Sequence, residues 1–192
     1  MPLPSPNKDI DPSRVIFLDR DGVINHDSPD YIKGLDEFHL LPRSLEALAL
    51  LSRKGWTVII ITNQSAIGRG LISLPGLNRI HTHLKKTVAD HGGNIADIFF
   101  CPHLPEEDCL CRKPKPEMIR QAAEKFGIVL NRAVMVGDRA TDILCGQNAG
   151  CGRTVLVRTG AGHLTEKQLA PTDENPTRIA DDLYDAVKWI VQ

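Results

Sequence analysis

Net charge is nearly absent from this chain. Its 192 residues carry 23 Lys and Arg against 24 Asp and Glu, a balance of −1 with an isoelectric point near 6.6. That leaves no electrostatic footprint for nucleic acid or an anionic membrane surface. Long apolar runs are also missing: none approaches the roughly 20 residues that a membrane-spanning helix needs. Cysteine is scarce and odd in number. Of the five, Cys101, Cys109 and Cys111 crowd together with His103, while Cys145 and Cys151 lie apart. An odd, clustered set argues against a disulfide framework and for metal in a reducing compartment, so a cytoplasmic location is expected. The opening Met-Pro-Leu-Pro-Ser-Pro-Asn-Lys has no apolar signal core, and residues 1–12 read as a flexible arm. Repeats, low-complexity tracts and a second-domain boundary are lacking too, so one domain over 1–192 is expected.

What is present is an alternation. Apolar, β-branched runs at 15–18, 56–61, 98–101, 133–136 and 154–157 are separated by segments of helical spacing. Leu45, Leu48 and Leu51 mark one helical face within 44–54, which stops at Gly55. Leu77, Ile80, Leu84 and Val88 mark another within 74–91, which stops at Gly92-Gly93. Further helices are expected over 116–126, 141–149 and 179–191, with a loop over 162–177. This pattern predicts a three-layer, Rossmann-like α/β fold: a parallel sheet of about five strands with helices on both faces.

Chemistry-bearing residues gather at the ends of the expected strands. Asp19-Arg20-Asp21-Gly22 follows the run Val15 to Leu18. Paired carboxylates at the carboxyl edge of a sheet suit a hard divalent cation, or a division of nucleophile and acid/base roles. A surface turn uses the same residue types. The second run ends in Thr62-Asn63-Gln64-Ser65, where a hydroxyl and backbone amides could receive a phosphate. Arg112-Lys113-Pro114 offers a bidentate grip and a point charge ahead of a helix. The fourth run ends in Gly137-Asp138, with Arg139 and Asp142 just beyond it.

Cys101-x-His103 followed by Cys109-x-Cys111 supplies four zinc ligands within residues 101–111. Full ligation by protein leaves no open position, so Zn²⁺ here would be structural. The loop runs directly into Arg112 and Lys113, and the metal would position the lysine. Glu106, Glu107 and Asp108 are expected to be solvated. His26, His39, His81, His83 and His91 show no partner pattern and read as ordinary histidines.

Taken in order and spacing, Asp-x-Asp-Gly, the Thr after the second run, the Lys before a helix and Gly-Asp-x-x-x-Asp resemble the haloacid-dehalogenase-like (HAD) phosphatases. The resemblance extends from about Arg14 to Gly160. It implies a phosphoric monoester hydrolase working through an aspartyl-phosphate. Asp19 would be the nucleophile and Asp21 the acid/base, with Mg²⁺ held by Asp19, Asp138 and the backbone carbonyl of Asp21. Thr62 and Lys113 would hold the transferring phosphoryl group, and Asp142 would support the metal site from behind. Neither place where this family inserts cap domains has room for one, so the site is expected to be capless and open. Its walls would then be Asp27, Ser28, Pro29, Asp30, Tyr31, Thr62, Asn63, Gln64, Ser65, Arg112, Lys113 and Arg139.

Within that family, the zinc loop with Asp-Arg-Asp-Gly-Val-Ile-Asn, Thr-Asn-Gln-Ser and Cys-Arg-Lys-Pro is similar to two sister branches. The run Asp27 to Tyr31, Glu37-Phe38 and the run Thr62 to Gly70 favour the one acting on heptose 1,7-bisphosphate. A sister branch acts on histidinol phosphate, which remains the alternative substrate beside a generalist activity. The implied product, heptose 1-phosphate, would feed lipopolysaccharide or surface-glycan biosynthesis. Departures exist: Ala66, Gly68, Glu117 and Arg139 differ from common family residues, and Arg139 keeps the positive charge. A phosphorylated sugar is the expected partner of a monomer. A sugar-phosphate binder without activity would be expected to lack an acid or the lysine, and none is missing. A zinc module with only a structural role would not need acids at strand ends.

Overall fold

A computed structural model describes residues 10–169 and 175–192. Six strands form: β1 (Val15–Leu18), β2 (Thr57–Asn63), β3 (Ile95–Cys101), β4 (Val134–Gly137), β5 (Arg153–Val157) and β6 (Arg178–Ala180). All pair in parallel in the order β3-β2-β1-β4-β5-β6. The helices are α1 (Ser44–Arg53), α2 (Leu74–Asp90), α3 (Glu117–Phe126), α4 (Ala140–Ala149), α5 (Gly162–Gln168) and α6 (Leu183–Ile190).

β1 reads as an unbroken apolar run because both of its faces are covered. Ile16 and Leu18 pack with Leu48 and Leu51 of α1, Leu77 and Ile80 of α2 and Val187 of α6. Val15 and Phe17 pack on the other side with Met118, Ile119 and Phe126 of α3 and Cys145 of α4. From β1 the sheet grows outward to β3, and the chain then returns to place β4 on the other flank of β1. Such a reversal opens a crevice beyond the carboxyl ends of the two central strands. Asp19 and Asp138 both stand at those ends, and the Asp19 N–H donates to the Val136 carbonyl at 3.0 Å.

Three expectations need correction. The sheet has six strands rather than about five, because 179–191 is not one helix. Arg178–Ala180 pairs with β5, and Asp182 then caps α6, its side chain accepting from the Asp185 N–H at 2.8 Å. A three-residue edge strand is too short to show a period. The expected loop over 162–177 contains α5, whose apolar side is so thin that no helical stripe shows. Residues 170–174 of that expected loop lie outside the described residues. The expected arm over 1–12 ends early as well: Ile10 packs on the core beside α3, and the Pro12 carbonyl accepts from the Val129 N–H at 2.9 Å. Its residues 1–9 lie outside the described residues.

Candidate active site

Lys113 organises the centre. Its Nζ lies 2.9 Å from Asp19 Oδ1 and 2.7 Å from Asp142 Oδ1, and it donates to the Ile61 carbonyl at 2.9 Å. The Asn63 side chain accepts from the Lys113 N–H at 3.1 Å, which ties the lysine backbone to the end of β2. Burial alone would drive this ammonium to lose its proton; the carboxylates of Asp142 and Asp19 outweigh that and raise its pKa.

Asp19 is pushed up to about 7, chiefly by burial, with Lys113 opposing and Asp142 and Asp21 adding repulsion. Asp138 is pushed up to about 8 by burial and by Asp19 and Asp142. Carboxylate oxygens of Asp19, Asp138 and Asp142 lie within 4.8 Å of one another. Asp138 Oδ2 accepts from the Ala161 N–H at 2.7 Å, whereas its Oδ1 is buried and has no hydrogen-bond partner among the described residues. A Cβ on Gly22 or Gly160 would collide with the Asp138 carboxylate, and Gly22 has φ +81. Three clustered carboxylates, two of them paired with one buried ammonium and the third with an unpartnered oxygen, make a donor set that fits a hard divalent cation.

Asp21 faces elsewhere. Its carboxylate accepts from Arg20 Nε (3.0 Å) and Nη2 (2.8 and 2.9 Å), Asn25 Nδ2 (2.8 Å) and Gln64 Nε2 (2.8 Å). Burial pushes its pKa up, but Arg20 and these hydrogen bonds win and hold it below the usual carboxylate range. Arg20 itself is 1% exposed. Its Nη1 lies 3.3 Å from His81 Nε2, so that ring nitrogen is the acceptor. Gln64 Nε2 also donates to Thr62 Oγ1 at 2.9 Å. Sequence reasoning took His81 for an ordinary histidine and gave Arg20 and Asn25 no role. Arg20 and His81 meet across 61 residues and Arg20 and Gln64 across 44, while Asn25 reaches Asp21 only through the turn between them, so no periodic spacing announces the network.

A cavity of about 600 Å³ opens above this centre. It is lined by Asp19, Asp21, Asp27, Ser28, Pro29, Tyr31, Thr62, Asn63, Gln64, Ser65, Arg112, Lys113 and Arg139, but not by Asp30. Arg139 Nη2 lies 2.8 Å from Asp27 Oδ2, bridging the wall formed by 27–31 to the start of α4. Tyr31 holds φ +63, with the Arg69 guanidinium 5.7 Å from its ring centre. Ala161 and, from α5, Leu164, Thr165 and Gln168 complete the wall. The polar run 162–177 reads as loop in the sequence and so hides the wall that Leu164, Thr165 and Gln168 provide.

Cys101, His103, Cys109 and Cys111 converge beside the cavity. Neighbouring ligand atoms are 3.5 Å apart for Cys101–Cys109 and Cys109–Cys111, 3.6 Å for Cys101–His103 and 3.2 Å for His103–Cys111. A tetrahedron with zinc–ligand bonds of about 2.0–2.3 Å has edges of about 3.3–3.8 Å, so the cluster fits Zn²⁺. Glu106, Glu107 and Asp108 are exposed, as expected. Arg112 Nη1 donates to the His103 carbonyl at 3.3 Å, and the Gln64 N–H donates to the Cys101 carbonyl at 2.7 Å. The cysteine cluster therefore braces two walls of the cavity.

A family model for HAD-hydrolase-like proteins matches residues 110–186. The chain is 45% identical over 178 residues to D-glycero-beta-D-manno-heptose-1,7-bisphosphate 7-phosphatase of Pseudomonas aeruginosa, covering 93% of this chain and 98% of that one. Among solved structures, D,D-heptose 1,7-bisphosphate phosphatase from B. bronchiseptica, complexed with magnesium and phosphate, superposes with a TM-score of 0.88 at 40% identity. That match covers 93% of this chain and 98% of the other. The corresponding phosphatase from Burkholderia thailandensis gives 0.72 at 35% identity, over 93% and 99%.

Proposed function

The chain belongs to the heptose-1,7-bisphosphate 7-phosphatases of the HAD-like hydrolases, and from that premise we propose that it removes the 7-phosphate of D-glycero-β-D-manno-heptose 1,7-bisphosphate and leaves the 1-phosphate. The observation that carries this reading is Asp19 itself. A buried carboxylate stands 2.9 Å from a buried lysine ammonium at the point where the strand order reverses.

In this reading an Asp19 oxygen attacks phosphorus, forming an aspartyl-phosphate and breaking the bond to the sugar O7. The departing alkoxide takes a proton from Asp21. Water then returns a proton to Asp21 and attacks the aspartyl-phosphate, which frees Asp19 and inorganic phosphate. To act in this way, Asp21 must take up a proton from solvent as substrate binds, exchanging one of the donors Arg20, Asn25 or Gln64 that favour its ionised form for the leaving oxygen. Lys113, held in place by Asp142 and Ile61, neutralises charge on the transferring group, and the Thr62 hydroxyl binds it. Asp19, Asp138 and the Asp21 carbonyl would hold Mg²⁺, which would supply the remaining positive charge that lets an anionic nucleophile meet an anionic phosphate.

Substrate choice rests on the walls. Arg112 and Arg139 offer guanidinium forks to the retained phosphate, while Asp27 and Ser28 accept from or donate to sugar hydroxyls. The reduced cysteines of the zinc cluster support a cytoplasmic enzyme, whose product feeds activated-heptose and surface-glycan synthesis.

The test is phosphate release with product identification. The bisphosphate should yield heptose 1-phosphate with a kcat/KM far above that for histidinol phosphate, and Asp19→Asn should abolish turnover in a folded protein. Turnover by Asp19→Asn at the wild-type rate would sink the nucleophile assignment. Equal kcat/KM on both substrates would favour the histidine-pathway alternative or a generalist.

A further inference from the structure

The opposite end of the sheet carries a second cavity, of about 620 Å³. Arg14, Trp56, Arg132 and Arg153 line it, with Asp11 as the single acidic lining residue among the described residues. Arg14 stands just before β1, Trp56 just before β2 and Arg132 shortly before β4, while Arg153 opens β5. The active-site cavity lies past the other ends of these strands, and the two cavities share no lining residue. Even a four-residue strand spans about 13 Å, so the sheet keeps them apart.

Arg153 is the residue that calls for explanation. It is half-buried, and its guanidinium carbon lies 5.9 Å from the Trp56 ring centre and 5.3 Å from that of Trp189. Among the described residues its guanidinium has neither a carboxylate partner nor a hydrogen-bond acceptor. Burial shifts its pKa down, and no acidic neighbour counters the shift. Arg132 also lacks an acidic partner among the described residues. Arg14 is only loosely engaged, 3.6 Å from Asp11 and 3.3 Å from the Lys54 carbonyl, both contacts at an exposed surface.

Indole faces return part of the cost of withdrawing a guanidinium from water. They supply no counter-charge. Three arginines against one loosely held acid, on a chain whose net charge is −1, leave a local positive excess with unused donor forks. Those forks match phosphate oxygens in pairs, and the half-buried indole of Trp56 adds an apolar surface. We propose that this cavity is an anion-binding site, separate from the catalytic one, for a small molecule carrying a phosphate or bisphosphate group.

The chain provides its own probe. Its two tryptophans, Trp56 and Trp189, both flank Arg153, and neither lines the active-site cavity. The metal-loaded protein should be titrated at constant ionic strength with methylenediphosphonate, a bisphosphate mimic without a cleavable ester, while tryptophan fluorescence is read. A saturable change with Kd below about 1 mM is expected. The exposed substitutions Arg14→Gln and Arg132→Gln should each weaken it by about fivefold or more, the scale of one charge-assisted contact. Arg153→Gln should remove it, and the two exposed variants decide the matter if that protein fails to fold. Asp19→Asn should leave the titration unchanged. The absence of saturation up to about 10 mM would overturn the proposal. So would a change that survives both exposed substitutions, or one that Asp19→Asn abolishes.

Discussion

Lys113 and Asp142 form a buried ion pair, Nζ to Oδ1 2.7 Å, with side chains only 2% and 1% exposed. One residue follows the zinc loop and the other sits in the first turn of α4, where its Oδ2 also accepts from the Arg139 N–H at 3.0 Å. The pair holds the ammonium against Asp19, so an acid remote from the phosphorus fixes the placement of the charge that phosphoryl transfer needs.

Removing the two partners should therefore have opposite effects on stability. Lys113→Met leaves the carboxylates of Asp19 and Asp142 without their buried ammonium, and should cost about 3–5 kcal/mol as well as activity. Asp142→Asn relieves repulsion in the same cluster and should keep the fold, while lowering kcat by about 10–100-fold through a misdirected lysine. Melting temperatures and steady-state rates of the two variants check this. A large drop in stability for Asp142→Asn without loss of rate would contradict it.

His81 should make folding sensitive to mild acid. Burial and the Arg20 guanidinium depress its pKa from 6.5 to about 4. The unfolded chain therefore binds the proton more readily, and the contribution of His81 is complete above pH 6.5 and lost as pH falls through 4. Over that window wild type should lose up to about 3 kcal/mol more stability than His81→Gln. Denaturant unfolding of both proteins at several pH values tests it, because the other titrating groups largely cancel in the difference. Parallel curves would refute the role of His81.

Metal analysis should find about one tightly held zinc per chain, with Mg²⁺ still required for turnover. Cys109→Ala should lower both the melting temperature and kcat, because the cluster braces Arg112 through the His103 carbonyl and Gln64 through the Cys101 carbonyl. Full activity and unchanged stability in a zinc-free preparation would show the cluster to be incidental.

Arg112→Ala should reduce kcat/KM on the heptose bisphosphate by about 10–100-fold, the value of one or two charge-assisted contacts to a phosphate. On a monophosphate lacking the second anion the loss should stay within about threefold. Paired kinetics on the two substrates decide it, and an equal loss on both would remove Arg112 from recognition of the retained phosphate.

Everything legible in the sequence was local. Val15 to Leu18 announces a strand by four consecutive apolar residues, and Asp19 and Asp21 follow at once. The four zinc ligands lie within eleven residues, so their convergence needs little more than a turn. The order of the four motifs, through the family resemblance, places Asp19, Thr62, Lys113 and Asp138 in one expected centre. What tertiary structure decided is everything that depends on strands distant in sequence becoming neighbours. Only the return of β4 to the flank of β1 brings Asp138 beside Asp19, and only the packing of α2 brings His81 to Arg20. The turn that aims Asp21 at Arg20, Asn25 and Gln64, the wall supplied by α5, and the edge strand β6 leave no periodic trace. Their apolar stripes are too short, and their polar partners are chosen by proximity in space rather than by spacing along the chain.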